Sequence, residues 1–265
     1  THLSTDANAQ GNKNISPADA YTLARGGTIH AHNGMEVKLQ RPLDFLVIAD
    51  HAENLGVANA VQRRDPLLRE TDVGTRLANA FEQLMEGGSP APEALRDFVY
   101  SLGIDDIRDD RFRQAIWGRV TRTADQYNEP GKFTALIGYE WTSRFNNATR
   151  HRNVIFKDNA DKTNQVLPFS ARDSTNPEDL WRFLARYEEL TGGEVLSIAH
   201  NPNLSNGREF AISDISGKPF SLAHQKLRKR FEPLLEVTQI KGDSETLGIL
   251  SPNDEFADYE TWEGW

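Results

Sequence analysis

Three short motifs place metal-ligating residue types directly after apolar runs. Asp50-His51 follows Phe45-Leu46-Val47-Ile48-Ala49, Glu140 follows Leu136-Ile137-Gly138-Tyr139, and His200-Asn201 follows Leu196-Ser197-Ile198-Ala199. Imidazole and carboxylate donors together suit zinc, manganese or iron, and a chain without cysteine has no thiolate to narrow that choice. One strand that ends in a charged side chain is ordinary, because strands must emerge into solvent. Three such ends point to a shared site, since the C-terminal strand ends of α/β barrels converge on the face that carries the chemistry.

The other histidines read differently. His30-Ala31-His32 has the two-residue spacing that puts both rings on one strand face, where they could chelate an ion. It lies between Gly26-Gly27 and Asn33-Gly34, however, which favours an exposed loop pair. His224, in a helix predicted over 220–228, reads as a partly exposed helix residue. His151 is flanked by Arg150 and Arg152, which strand alternation turns to the opposite face, where they would pack against acidic side chains. No Ser-His-Asp order or phosphate-cradling Gly-rich loop is present, so nucleophilic serine chemistry and nucleotide cradling have no support.

The elements that must position these groups follow from period and punctuation. Ser16-Pro17-Ala18-Asp19 starts a helix, with Ser16 as cap and Pro17 at the first helical position, and Gly26-Gly27 ends it. The run Pro42 to Ala49 predicts a short strand covered on both faces. Strands are also predicted over 133–139, 152–156, 194–199 and 234–238. Between about 59 and 128 the period becomes helical: Leu77, Ala80, Phe81 and Leu84 share one face, as do Phe112, Ile116 and Val120, with Gly87-Gly88-Ser89-Pro90 as a break. Asn176-Pro177 opens a further capped helix that closes at Gly192-Gly193. Strands alternating with helices predict an α/β domain with a mainly parallel sheet, and the long helical stretch reads as an insertion over one end of it.

Composition sets outer bounds. The 265 residues suit one large domain, the default expectation, and 38% apolar with 26% charged residues suits an ordinary globular core. A formal charge of -9 without basic stripes argues against nucleic acid as a partner, because phosphate backbones are bound by clustered Lys and Arg. No apolar run approaches the roughly 20 residues of a membrane-spanning helix, so no membrane partner is expected. The absence of cysteine excludes thiolate zinc sites, disulfides and thiol nucleophiles. It is compatible with export, so a bacterial periplasmic or secreted location is suspected, with the cytoplasm as the alternative. The first residue is Thr1 rather than Met, which leads us to expect that the natural start has been removed.

Four segments carry a family resemblance: PLDFLVIADHAENL (42–55), LIGYEWT (136–142), HRNVIF (151–156) and EPLLEVTQIKGDSE with SPNDEFAD (232–258). They resemble a bacterial group catalogued as a domain of unknown function within the polymerase and histidinol phosphatase (PHP) superfamily, over nearly the whole chain. The resemblance implies a distorted barrel of about seven strands, of (β/α)7 type, with the helical insertion around 59–128. It also implies two or three divalent ions that activate water against a phosphoester. Residue by residue, it implies that Asp50 and His51 fill an Asp-His position, Glu140 is the metal-bridging Glu, His151 and His200 are the later histidines, and Glu236 is the second Glu. Thr1 to Asp6 resembles the tail of a first motif whose His-x-His pair lies upstream, and no final Asp-x-His appears before Trp265, so a domain truncated at both ends is expected. His2 then falls on a variable position, while Asp6 suits an outer partner that orients a ligating imidazole.

The functional expectation is a metal-dependent hydrolase, with Asp50, His51 and Glu140 at the chemical centre and zinc, manganese or iron as cofactor. The substrate expected is a small anionic ester, a phosphoester first, though a sulfate ester would suit the same electrostatics. Arg144 and Asn201 are the candidates for holding its anionic group. A non-catalytic metal-binding or interaction module is the alternative from a different class. An amidohydrolase-type barrel is disfavoured, because its bridging lysine has no counterpart in a convincing motif at Lys157 or Lys241.

Overall fold

The computed structural model describes residues 1–4, 6–7, 11–86, 109–145, 148–214, 217–239, 242–243, 248–249, 252–253 and 255. The chain divides into two compact units: Thr1–Tyr139 with Phe156–Pro168, and Glu140–Ile155 with Phe169–Trp265.

In the first unit, α1 (Pro17–Ala24) begins as expected. The Ser16 hydroxyl accepts from the Asp19 amide at 3.2 Å, and Asp19 accepts in return from the Ser16 amide at 2.8 Å, so two otherwise orphaned donors are satisfied. Strands β1 (Ile29–His30) and β2 (Glu36–Val37) form an antiparallel pair, and β3 (Phe45–Ile48) runs parallel to the first half of β4 (Thr134–Phe145), with Ile48 in register with Ile137. Strand β3 was expected to be covered on both faces, yet Phe45 is 64% exposed and Leu46 to Ile48 are only half-buried. It is an edge strand, paired on one side among the described residues, which explains the incomplete cover.

The helical stretch contains α2 (Val57–Gln62), α3 (Asp72–Glu86) and α4 (Asp110–Tyr127); the predicted break at 87–90 lies outside the described residues. Val57, Val61 and Leu68 meet Phe81, Phe112 and Ile116 in one apolar cluster, as the 3.6-residue period of the last two required. Gly56, which caps α2 at φ +74°, fixes the turn after the Asp50-His51 motif. A Cβ there would sit 2.8 Å from Ile116 Cγ2, so both the backbone and the packing demand glycine. Trp117 packs against Tyr139 and Phe156, with ring centroids 6.0 and 6.2 Å away, and its indole N–H donates to the Thr163 carbonyl of α5 (Ala160–Thr163) at 3.1 Å.

In the second unit, the outer half of β4 is followed across the sheet by β5 (Ala148–Phe156), β6 (Val195–His200) and β7 (Leu234–Leu235), the last two parallel. Helix α6 (Pro177–Thr191) has Asn176 as cap and ends at Gly192 with φ +60°; its Leu180, Trp181, Leu184 and Tyr187 form one buried stripe. Helix α7 (Leu222–Phe231) is capped by Ser221, and β8 (Thr238–Gln239) pairs with β9 (Gly242–Asp243).

The mixed α/β class is as expected, but the closed, mainly parallel barrel is not found. Among the described residues the sheet is open, with five strands in the order β3-β4-β5-β6-β7. It is mixed because only two residues separate β4 from β5, far too few for the crossover that a parallel pair needs. The predicted strand over 234–238 breaks into β7 and β8. Leu234 and Leu235 are about half exposed. No helix among the described residues is long and apolar enough to cross a membrane.

Candidate metal centre

Three strands of the second unit bring Glu140, His151 and His200 together. One Glu140 carboxylate oxygen, Oε1, lies 2.7 Å from His151 Nδ1 and 3.1 Å from His200 Nε2. The two imidazoles are stacked, with centroids 5.2 Å apart and planes inclined by 30°. All three side chains are about nine-tenths buried. Such spacing is close to that of neighbouring ligands on one tetrahedral ion, about 3.3 Å apart when each bond is about 2.0–2.1 Å. The Thr142 hydroxyl, two residues along β4 on the same face as Glu140, sits 2.9 Å from His151 Nδ1 and 3.3 Å from Glu140 Oε1. It therefore holds the ring and the carboxylate together through the same Nδ1 that faces Glu140. Sequence reasoning missed Thr142, although its i+2 relation to Glu140 was a usable signal.

The donor types suit a divalent cation. One carboxylate and two neutral imidazoles match zinc, manganese or iron chemistry. Moreover, His200 Nδ1 is buried without a hydrogen-bond partner among the described residues, so the protein alone leaves the ring half-satisfied.

Next to this group, Asn201 is 1% exposed and adopts a left-handed backbone, φ +52°, which asparagine tolerates better than most residues. Its amide N–H donates to Glu236 Oε2 at 3.2 Å, and the same carboxylate accepts from the Gln239 side chain. Both polar atoms of the Asn201 side chain are buried and unpartnered among the described residues. Glu236 is thus placed beside the His200-Asn201 turn through the main chain. Arg144 is not in a loop, as the sequence suggested, but exposed on β4, on the Glu140 face by alternation.

In the first unit, Asp50 is buried and accepts from the Thr1 hydroxyl, and the Thr1 main-chain nitrogen lies 3.0 Å from Asp50 Oδ1. His51 Nε2 lies 2.9 Å from Asp6 Oδ2, the pairing expected of an outer partner. His2 is buried, and burial, reinforced by Arg63, holds its pKa below the ordinary histidine value. His30 is exposed on β1, 3.6 Å from Glu36, and His32 is exposed in the turn that follows.

His224 differs from its expected partly exposed state. It is 5% exposed, because its face of α7 turns toward α6: Nδ1 lies 2.7 Å from Glu178 Oε2, and the ring stacks on Phe220 at 3.9 Å.

The fold and site define a mixed α/β protein with a buried carboxylate between two imidazoles. The family described as "Protein of unknown function (DUF3604)" matches residues 1–265, and the chain belongs to it. No curated protein and no solved structure matches the chain.

Proposed function

We propose that this protein is a metal-dependent hydrolase of small anionic esters, phosphoesters foremost, on the pattern of the PHP superfamily that its motifs resemble. The observation that carries the proposal is the single Glu140 oxygen within hydrogen-bond reach of both His151 and His200. In this reading Glu140, His151 and His200 hold a divalent cation, and the resemblance adds Asp50, His51 and Glu236 to the ligand set. A cation bound there would lower the pKa of a bound water toward neutrality and offset charge on the ester oxygens. Asp6 orients His51, and Asn201 and Arg144 are the groups that would receive the substrate's anion.

The test is metal analysis of the purified protein, together with hydrolysis assays on p-nitrophenyl phosphate and p-nitrophenyl sulfate after loading with zinc, manganese or iron. Bound metal and metal-dependent turnover are expected, and His200→Ala should abolish turnover while leaving the far-UV circular dichroism unchanged. A protein that binds none of the three ions, or a His200→Ala variant with full turnover, would sink the proposal.

A further inference from the structure

The arginines on the other face of β5 open onto a second feature. A cavity of about 620 Å³ lies within the second unit, a volume in the range of small-molecule sites. Its wall carries four guanidiniums, Arg150, Arg152, Arg208 and Arg228, against two carboxylates, Glu209 and Asp214. These charges do not cancel locally. Arg152 is held by Glu209 and Glu232, and Arg228 by Glu232 at 3.3 Å. Asp214 accepts from the main-chain amide of Lys218 at 3.0 Å, within its own turn. Among the described residues Arg150 is bound through neutral oxygens, the Thr175 carbonyl at 2.9 Å and the Ser143 hydroxyl at 3.4 Å. Among the described residues, neither Arg150 nor Arg208 has a carboxylate partner.

Two donors in this wall are buried and unused among the described residues: Nε of Arg150 and Nη1 of Arg152, the latter on a side chain 1% exposed. Leaving a buried charged donor unpaired is costly, so such groups are normally matched by a partner, water or ligand. Phe220, backed by the His224 ring, supplies an aromatic surface to the same cavity, and Trp181 lies against Arg152, 5.8 Å from its guanidinium. Strand alternation separates the cavity from the metal centre, because Arg150 and Arg152 point away from the face of β5 that carries His151.

We propose that this cavity is a binding site for a small organic oxyanion, its carboxylate, phosphonate or sulfonate group taken by Arg150 and Arg208, and its apolar body set against Phe220. Planar guanidiniums suit such groups because they donate in a fork that matches two oxygens at once. The volume exceeds what an inorganic ion needs, and the aromatic surface gives the remaining space to a ring or short hydrocarbon.

The test is calorimetric titration of the full chain, kept metal-free with a chelator, with phenylphosphonate, benzoate and inorganic phosphate. Saturable binding of phenylphosphonate or benzoate is expected, and the stronger of the two identifies the head group. Arg208→Gln and Arg150→Gln should each weaken it at least about 10-fold, as loss of a charge-assisted bond predicts. His200→Ala should leave binding unchanged, which separates this site from the metal centre. Phe220→Ala, which removes no charge, should weaken the organic anions but not inorganic phosphate. The inference is overturned if neither organic anion binds, if both arginine variants bind as the parent does, or if inorganic phosphate binds as tightly as phenylphosphonate. Thermal melts of each variant establish that it is folded at the titration temperature.

Discussion

The second unit buries two charge clusters on opposite faces of one strand, and they are built from different groups. On one face of β5, Arg152 is enclosed: its Nε donates to Glu232 at 2.6 Å, its Nη2 to Glu209, and its guanidinium lies 5.5 and 5.8 Å from the ring centroids of Trp141 and Trp181. Arg228 beside Glu232 brings the count to two cations and two carboxylates. Burial pushes the Glu209 carboxyl above its ordinary pKa while Arg152 pulls it down. On the other face, Glu140 meets two imidazoles that need not be charged, and His200 keeps a buried nitrogen without a partner among the described residues. Arg152 Nη1 and Glu209 Oε2 are likewise buried without partners among the described residues, so the two clusters differ in kind: one opposes full charges, the other sets a carboxylate against two imidazoles.

The largest effect should come from the enclosed cluster. Arg152→Met leaves Glu209 and Glu232 buried with one cation fewer, and urea denaturation should show a loss of about 3–5 kcal/mol. Adding Glu209→Gln to that variant should restore part of it, because the cost is uncompensated charge rather than lost volume. If the single variant is as stable as the parent, the cluster is not structural and the contrast fails.

Glu140→Gln comes next and should do the reverse. Metal-dependent hydrolysis should drop by more than the ~10–100-fold that losing an outer partner costs, while metal-free stability changes by less than about 1 kcal/mol. A loss of metal-free stability as large as that of Arg152→Met would make both clusters structural. Thr142→Val, the smallest change, keeps the shape but removes the hydroxyl that shares His151 Nδ1 with Glu140. The metal-free protein should lose about 1 kcal/mol in urea denaturation, one hydrogen bond's worth, with metal affinity in a competition titration with a chromophoric chelator no lower than the parent's. A lower affinity would show that His151 meets the ion through Nε2.

Several elements were legible because their signals are local. The Ser16 and Asn176 caps, the Gly192 stop and the buried stripe of α4 depend on neighbours within about four residues, and each lies where the sequence put it. The strand-end positions of Asp50, His51 and His200 were legible for the same reason, since an apolar run that stops at a ligand-type residue can be read from the run alone; Glu140, expected at a strand end, lies instead in the middle of β4. Arg144 was misplaced because β4 runs to Phe145, and the sequence carries no turn residue that shows how far a strand continues past its buried half. His224 was misjudged because its burial depends on Glu178, 46 positions away.

The sequence by itself determined the α/β class, the caps, the helical stretch over the middle of the chain and the residue types able to bind a cation, because each rests on period or side-chain chemistry. Only the tertiary structure decided that one Glu140 oxygen faces two histidines, that Asn201 is joined to Glu236, that the sheet is open, and that Arg152 is closed in by Glu209 and Glu232. Those outcomes depend on strand register and on partners tens of residues apart, and no local pattern encodes them.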